Sequence, residues 1–288
     1  MALLLSVSPE ELSKIVSFEG DRVIYAPFGV EHPECPYCKV SLAKMPGRKT
    51  KCKSCSSYIY KRTRPDGTVV AATEADTVAL DAQYYLKSES EITEPSFSGT
   101  YSLGLEPGDI KGLVAFWQST YDAATERLKP TNENPSFDEV CWEILKSEQE
   151  ELLQSSMGDE RPDGSPVQIG HFFGNREQMA IVALRLGEKR KALTLLIEKA
   201  CWEAISIGPD FDNAPPGMDM REIPHLGEIS RGAACEIDQL AKDESIGQDE
   251  LKIFFAAAAE KVRKRVPGTP SNKAIWEQYT SQLTPIDA

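Results

Sequence analysis

The chain has 288 residues, 41% of them hydrophobic and 27% charged, with a formal net charge of −13. This balance is typical of a soluble globular protein and allows two ordinary domains. No apolar run approaches the roughly 20 residues that a transmembrane helix needs, so no membrane-spanning helix is expected. The opening MALLLSVSPEELSK has only a short apolar stretch and no basic residue before it, so no export signal is expected.

The first elements along the chain are a short helix and a strand. The run PEELSKIVSF (9–18) predicts a helix, and Ser8 followed by Glu11 predicts a capping box at its start. The run DRVIYAPF (21–28) then predicts a strand that leads into a cysteine-rich segment.

That segment contains two cysteine pairs with the spacing of a metal site. Cys35-x2-Cys38 and Cys52-x2-Cys55 are separated by thirteen residues. The short turn that carries each pair, a knuckle, lets both thiolates reach one ion. Two knuckles together form a closed site without a coordination position for a reactive water. We therefore expect one structural Zn²⁺. Iron is the alternative for four thiolates, and the flanking strands favour zinc.

A β-hairpin and a helix should follow the second cysteine pair. The turn RPDG (64–67) separates two β-rich runs, so a hairpin is expected over 57–71. Thr73, with Asp76 three residues later, marks the start of a helix that continues to about residue 87.

These motifs resemble a zinc ribbon. More narrowly, residues 35–74 resemble the ribbons of a set of uncharacterised bacterial, phage and prophage proteins that also tend to carry a helical C-terminal region. The resemblance implies a four-cysteine zinc-ribbon fold and no established activity. A glycine commonly follows the second cysteine of each knuckle in ribbons, whereas this chain has Lys39 and Ser56. The residues that carry the resemblance are Cys35, Cys38, Pro46, Arg48, Lys49, Thr50, Lys51, Cys52, Cys55, Ile59, Tyr60, Arg62, Thr63, Arg64 and Pro65.

The ribbon is strongly basic in an acidic chain. From Lys39 to Arg64, both included, there are nine lysines and arginines and no acidic residue. The rest of the chain therefore contains 23 basic and 45 acidic residues. Such asymmetry suggests a surface for a polyanion, or equally an attraction between the basic and acidic parts of one molecule, and tyrosines between the cations suggest stacking on bases. A protein-docking ribbon and a purely structural ribbon remain alternatives. The candidate nucleic-acid-binding residues are Lys44, Arg48, Lys49, Lys51, Lys53, Tyr58, Tyr60, Lys61, Arg62 and Arg64.

The remainder of the chain is predicted to be helical. The polar stretch SESEITEPSFSGTYS (88–102) has the composition of a linker. The predicted fold is therefore mainly α with a small β-rich module: a zinc-ribbon domain with flanking helix and strands (1–87), the linker, and an irregular α-helical bundle (103–288). Helices are expected at 110–128, from Ser136 onward, at 177–206 around Gly187, and near 226–242, 249–264 and 271–283, with loops at 156–170 and 208–219.

No motif indicates an enzyme. The three histidines have no obvious partner, and Cys141, Cys201 and Cys235 lie in helical segments as expected for small apolar core residues. The chain has no phosphate loop, dinucleotide fingerprint or nucleophile elbow. A binding protein is therefore favoured, and an enzyme with dispersed catalytic residues is left open. Seven cysteines without a disulfide pattern indicate a reducing compartment, the cytoplasm, or the host cytoplasm if the chain is phage-encoded.

Two functional hypotheses follow. In the first, the basic ribbon contacts nucleic acid or a nucleic-acid-bound protein assembly, and the acidic helical body binds a protein partner. In the second, the chain is a phage-type scaffold or assembly protein whose ribbon is purely structural and whose helices mediate protein–protein interaction.

Overall fold

The computed structural model describes residues 4–93, 103–158, 169–205, 229–264 and 271–283. They form two compact units, Met1–Glu133 and Asn134–Ala288. The first unit contains a 3-10 turn (Leu4–Ser6), α1 (Pro9–Ile15), β1 (Val16–Glu19), β2 (Arg22–Tyr25), β3 (Lys49–Lys51), β4 (Tyr58–Thr63), β5 (Val69–Ala72), α2 (Glu74–Glu91) and α3 (Ile110–Leu128). The second contains α4 (Phe137–Gly158), α5 (Ile169–Arg185), α6 (Lys189–Ile205), α7 (Arg231–Asp243), α8 (Gln248–Arg263) and α9 (Asn272–Leu283). The predicted fold class, mainly α with a small β-rich module near the N-terminus, is confirmed.

The N-terminal helix is shorter than predicted. The capping box of Ser8 and Glu11 is present, but α1 ends at Ile15. The following Val16–Glu19 forms β1, which pairs antiparallel with β2 in a hairpin that turns at Gly20 (φ 64°). The helix predicted over 9–18 was therefore wrong in its last residues, because cross-strand pairing with β2 outweighs helical continuation there.

A three-stranded antiparallel sheet in the order β3-β4-β5 forms the centre of the first unit. The predicted hairpin over 57–71 is confirmed by the β4–β5 pairing, in which Tyr60 lies opposite Ala72. On one face of this sheet, Ile59 and Ala71 are buried together with two cysteines. On the other face, Val70 and Ala72 pack against Leu80 of α2. The sheet therefore has a cysteine face and a helix face.

Helix α3 belongs to the first unit. Trp117 of α3 is fully buried, and its indole N–H donates to the Val7 carbonyl over 3.2 Å. The division after Glu133 thus differs from the predicted boundary at 88–102. Part of that predicted linker is helical, since α2 continues to Glu91, and 94–102 lie outside the described residues.

The second unit is a helical assembly built around α6. Helices α5 and α6 form the predicted pair, joined at Gly187 with φ 77°, and α6 also packs against α7 and α8. Phe255 of α8 contacts Tyr279 of α9 in a tilted arrangement, with ring centroids 4.6 Å apart and ring planes at 39°. The predicted loop at 208–219 and most of that at 156–170 lie outside the described residues. Among the described helices, none combines the length and the apolar composition that a bilayer crossing requires.

Candidate metal centre and basic surface

The two cysteine pairs form two knuckles with equivalent backbone hydrogen bonds. In the first, the Lys39 N–H donates to the Cys35 carbonyl over 2.9 Å, and the Cys35 N–H donates to the Val40 carbonyl over 2.9 Å. In the second, the Ser56 N–H donates to the Cys52 carbonyl over 2.9 Å. The Cys52 N–H donates to the Ser57 carbonyl over 2.8 Å. The same tight turn therefore presents both thiol pairs.

This turn requires a left-handed residue after the second cysteine. Lys39 and Ser56 adopt φ values of 60° and 62°. These are the two positions where ribbons commonly have glycine, which adopts this conformation without steric cost. Both knuckles therefore keep this turn, although Lys39 and Ser56 each have a Cβ that makes the left-handed backbone conformation less favourable.

The four sulfur atoms converge on one point. Cys35 Sγ lies 3.7 Å from Cys55 Sγ, and Cys38 Sγ lies 3.8 Å from Cys52 Sγ. All four sulfurs lie within 4.8 Å of one another. A tetrahedral ion with metal–sulfur bonds of roughly 2.3 Å requires sulfurs roughly 3.8 Å apart, whereas a disulfide requires about 2.05 Å. The cluster therefore fits one metal ion, and the predicted ligands Cys35, Cys38, Cys52 and Cys55 are brought together.

The thiols differ in burial and in proton affinity. Cys35 and Cys52 are buried, while Cys38 and Cys55 are exposed. Burial raises the pKa of Cys35 to about 11, against the opposing effect of backbone N–H groups in its own knuckle. The backbone N–H and hydroxyl of Ser57 lower the pKa of Cys55 to about 6. A bound cation deprotonates its thiol ligands, so metal binding at this site releases protons.

The register of β3 and β4 places lysines beside tyrosines. Lys49 lies opposite Tyr60 and Lys51 opposite Tyr58. Residues directly opposite in an antiparallel pair share a face, so these four side chains form one group, here called the Lys–Tyr surface. Lys49 Nζ lies 4.3 Å from the Tyr58 ring centroid and 5.2 Å from that of Tyr60. Tyr58 is 49% exposed. A cation and an accessible aromatic ring therefore occur at the same place.

The other predicted contact residues lie at several places on the module. Lys61 alternates with Tyr60 along β4 and pairs with Ala71, so it lies on the cysteine face. Arg62 lies on the helix face, which also carries the Lys–Tyr surface: its guanidinium carbon lies 6.0 Å from the Tyr60 ring centroid, and its Nε donates to Asp81 of α2 over 3.0 Å. The three remaining loop and knuckle cations are exposed: Lys44, Arg48 and Lys53.

Arg64 is engaged by the protein itself. It is buried, and its guanidinium donates to the Phe28 carbonyl over 2.8 Å, to the Gly29 carbonyl over 3.0 Å and to Glu31. These bonds tie the β4–β5 turn to the segment that enters the first knuckle. Gly29 has φ 75°, and a Cβ there would lie 2.7 Å from Val70. Arg64 therefore positions the first knuckle.

A tyrosine in the first knuckle performs a role that the sequence did not reveal. The Tyr37 hydroxyl accepts a hydrogen bond from the Glu74 N–H over 2.9 Å. Glu74 is the first residue of α2, whose early N–H groups have no partner within the helix. The knuckle is thereby attached to the helix that packs on the sheet. Nothing in the spacing of a lone tyrosine indicates such a contact.

Fold and site together define a four-cysteine module with the geometry to hold one metal ion, carried by a small sheet and helices. Comparison of the chain with models of known families, with curated proteins and with solved structures finds no match. The resemblance to bacterial and phage ribbons stays a prediction from the sequence, and functional inference depends on the geometry of the site.

Proposed function

We propose that the chain is a non-enzymatic zinc-ribbon protein that binds single-stranded nucleic acid through its Lys–Tyr surface. The observation that carries the proposal is the β3–β4 register, which places Lys49 and Lys51 directly opposite Tyr60 and Tyr58. One nucleotide offers a phosphate and a base, and this surface offers a partner for each.

Zinc is the ion that best suits the site. Four thiolates on two knuckles are a common structural zinc set, and a closed set leaves no position for a reactive water. The cluster is attached to a small sheet and a helix, as expected where an ion replaces a large core. None of the seven cysteines, all of them among the described residues, forms a disulfide, which supports a reducing cytoplasm as the place of action.

Single strands suit the surface better than a duplex. Bases are accessible to an aromatic ring only where they are unpaired, and stacking of one base on an aromatic side chain contributes about 1–3 kcal/mol. Tyr58 is exposed at the end of a short hairpin, with Lys49 and Lys51 beside it. The described structure shows no helix in the knuckles that could enter a major groove.

The test is fluorescence anisotropy of mixed-sequence single- and double-stranded DNA and RNA, titrated with zinc-loaded protein at several salt concentrations. The double variant Lys49→Gln/Lys51→Gln should reduce the salt slope by about 1.4 on a single strand, if each lysine neutralises one phosphate. Tyr58→Ala should weaken binding about fivefold or more without changing that slope, and Tyr58→Phe should keep most of the affinity.

Lys61→Gln is the matched control, because Lys61 is an exposed cation of the same hairpin on the opposite face. It should leave both affinity and slope nearly unchanged. Equal losses in Lys61→Gln and in single Lys49→Gln and Lys51→Gln variants would show diffuse electrostatic attraction and refute the Lys–Tyr surface. Absence of binding at low salt would refute nucleic-acid recognition and favour the scaffold hypothesis, in which helices bind a protein partner.

A further inference from the structure

The second unit contains a cavity of about 340 Å³ among helices α4, α5, α6 and α8. Its volume is within the roughly 300–1,000 Å³ typical of small-molecule sites. Its described lining includes Gln149, Arg176, Glu198, Trp202, Lys261 and Lys264.

A carboxylate at the cavity wall is held by cations from two sides. Arg176 Nη2 lies 3.1 Å from Glu198 Oε2, and Lys261 Nζ lies 2.5 Å from Glu198 Oε1. The side chains of Arg176 and Glu198 are only 10% and 8% exposed. Gln149 orients the guanidinium by accepting from Arg176 Nη1 over 2.9 Å. The buried charges are therefore fixed in position before any ligand arrives.

The charges of the described lining do not balance. Arg176, Lys261 and Lys264 are cationic, and Glu198 is the one anion among the described lining residues. Burial of an ion pair contributes little net stability, since the desolvation penalty offsets the attraction. Arg176 and Glu198 pair within the protein, and the two further cations are accessible: the Lys261 side chain is 66% exposed and Lys264 is exposed, so both can meet an anion from solvent. The arrangement thus has the features of a binding site for an anion.

The cavity also has an aromatic wall. Trp202 of α6 lines it beside the cations. A guanidinium suits carboxylate and phosphate groups because its planar fork matches their geometry, and an indole suits a flat ring. We propose that this cavity binds a small organic anion with a planar ring, its carboxylate or phosphate held by Arg176, Lys261 and Lys264 and its ring placed against Trp202.

The test is isothermal titration calorimetry of the full-length zinc-loaded protein at low ionic strength. Two groups of probes distinguish the sources of the anionic group: nucleoside monophosphates for phosphate, and phenylacetate for carboxylate. Inorganic phosphate alone serves as the ring-free comparison. Because the chain carries a net charge of −13, diffuse attraction of anions to its surface is disfavoured, and binding would report a local site.

Lys264→Gln is the informative variant, because Lys264 is exposed at the end of α8 and its loss leaves the buried ion pair intact. It should weaken binding about two- to fivefold, the effect of one solvated charge contact. Lys273→Gln is the matched control on α9, away from the described lining, and should have no effect. The Lys49→Gln/Lys51→Gln protein should also bind normally, which separates this inference from nucleic-acid binding.

Binding of either probe group that is weaker in Lys264→Gln and unchanged in Lys273→Gln supports the site. Binding of inorganic phosphate as tightly as the ringed probes would overturn the role of Trp202. The proposal as a whole is overturned if no probe binds with a Kd below about 1 mM, or if both lysine variants reduce affinity equally.

Discussion

The left-handed residue of the second knuckle is a point where a single substitution should strengthen the metal site. Ser56 has φ 62°, and its side chain makes no hydrogen bond with the described residues. A residue with a Cβ is destabilised in this conformation by roughly 1–2 kcal/mol, whereas glycine is not. Ser56→Gly should therefore stabilise the ribbon while removing no contact.

The stabilisation expected from Ser56→Gly is smaller than the conformational strain that the substitution removes. Glycine loses more backbone entropy on folding than serine does, at a cost of roughly 0.5–1 kcal/mol. The difference leaves a net stabilisation of about 0.5–1 kcal/mol. Because the free energy of metal binding is also folding free energy in such a module, zinc affinity should rise about two- to fivefold. Lys39→Gly should behave similarly, since the exposed ion pair that it removes, 3.8 Å from Glu34, contributes little.

The assay is competition for zinc against a chromophoric chelator, together with thermal unfolding of the zinc-loaded protein. Ser54→Gly is the matched control, because Ser54 is exposed in the same knuckle and lies outside the left-handed region. It should weaken zinc binding slightly through the entropy of glycine alone. If Ser56→Gly weakens zinc binding as much as Ser54→Gly does, there is no strain at Ser56 for glycine to relieve.

Three further outcomes are expected. Removal of the metal by a chelator should expose the backbone amides of β3–β5 to hydrogen exchange and leave those of α4–α9 protected; loss of protection in both units would contradict separate stability. Gly29→Ala should lower the melting temperature more than Gly20→Ala, because both adopt a positive φ and only Gly29 has a side chain, that of Val70, in the way. Burial raises the pKa of Cys201 to about 12, so the folded state keeps this proton and loses stability as pH rises from about 9 towards 12. Alkylation of the native protein, followed by mass spectrometry, should accordingly label the exposed Cys235 before Cys201.

The features that the sequence predicted are local ones. The capping boxes of Ser8 with Glu11 and of Thr73 with Asp76 are both present, because each involves residues three positions apart. The cysteine ligands were identifiable for the same reason, since each knuckle is a short turn. The convergence of the two knuckles on one point followed from the chemistry of a tetrahedral ion.

The features that the sequence did not reveal depend on tertiary contacts. Lys61 and Lys49 are the same residue type in the same basic segment. Only the strand register shows that Lys61 lies on the cysteine face and Lys49 on the Lys–Tyr surface. Arg64 was interpreted as a surface cation, yet the carbonyls of Phe28 and Gly29 hold its guanidinium inside the module. These partners lie more than thirty positions away, beyond the reach of any spacing rule. The placement of α3 in the first unit has the same origin, the contact of Trp117 with Val7.

The metal centre and the Lys–Tyr surface share one hairpin. The second knuckle is the connection between β3 and β4, and the pair Lys51–Tyr58 lies next to it. A three-residue edge strand such as β3 has little stability of its own, so its register depends on the knuckle that joins it to β4. The structural role of the ion and the proposed binding role of the lysines are therefore not alternatives: a metal held by the thiolates would fix the turn, and the turn sets the spacing of cation and ring. It follows that an ion able to bind the four thiolates in tetrahedral geometry should restore nucleic-acid binding to the metal-free protein, even where it differs from zinc.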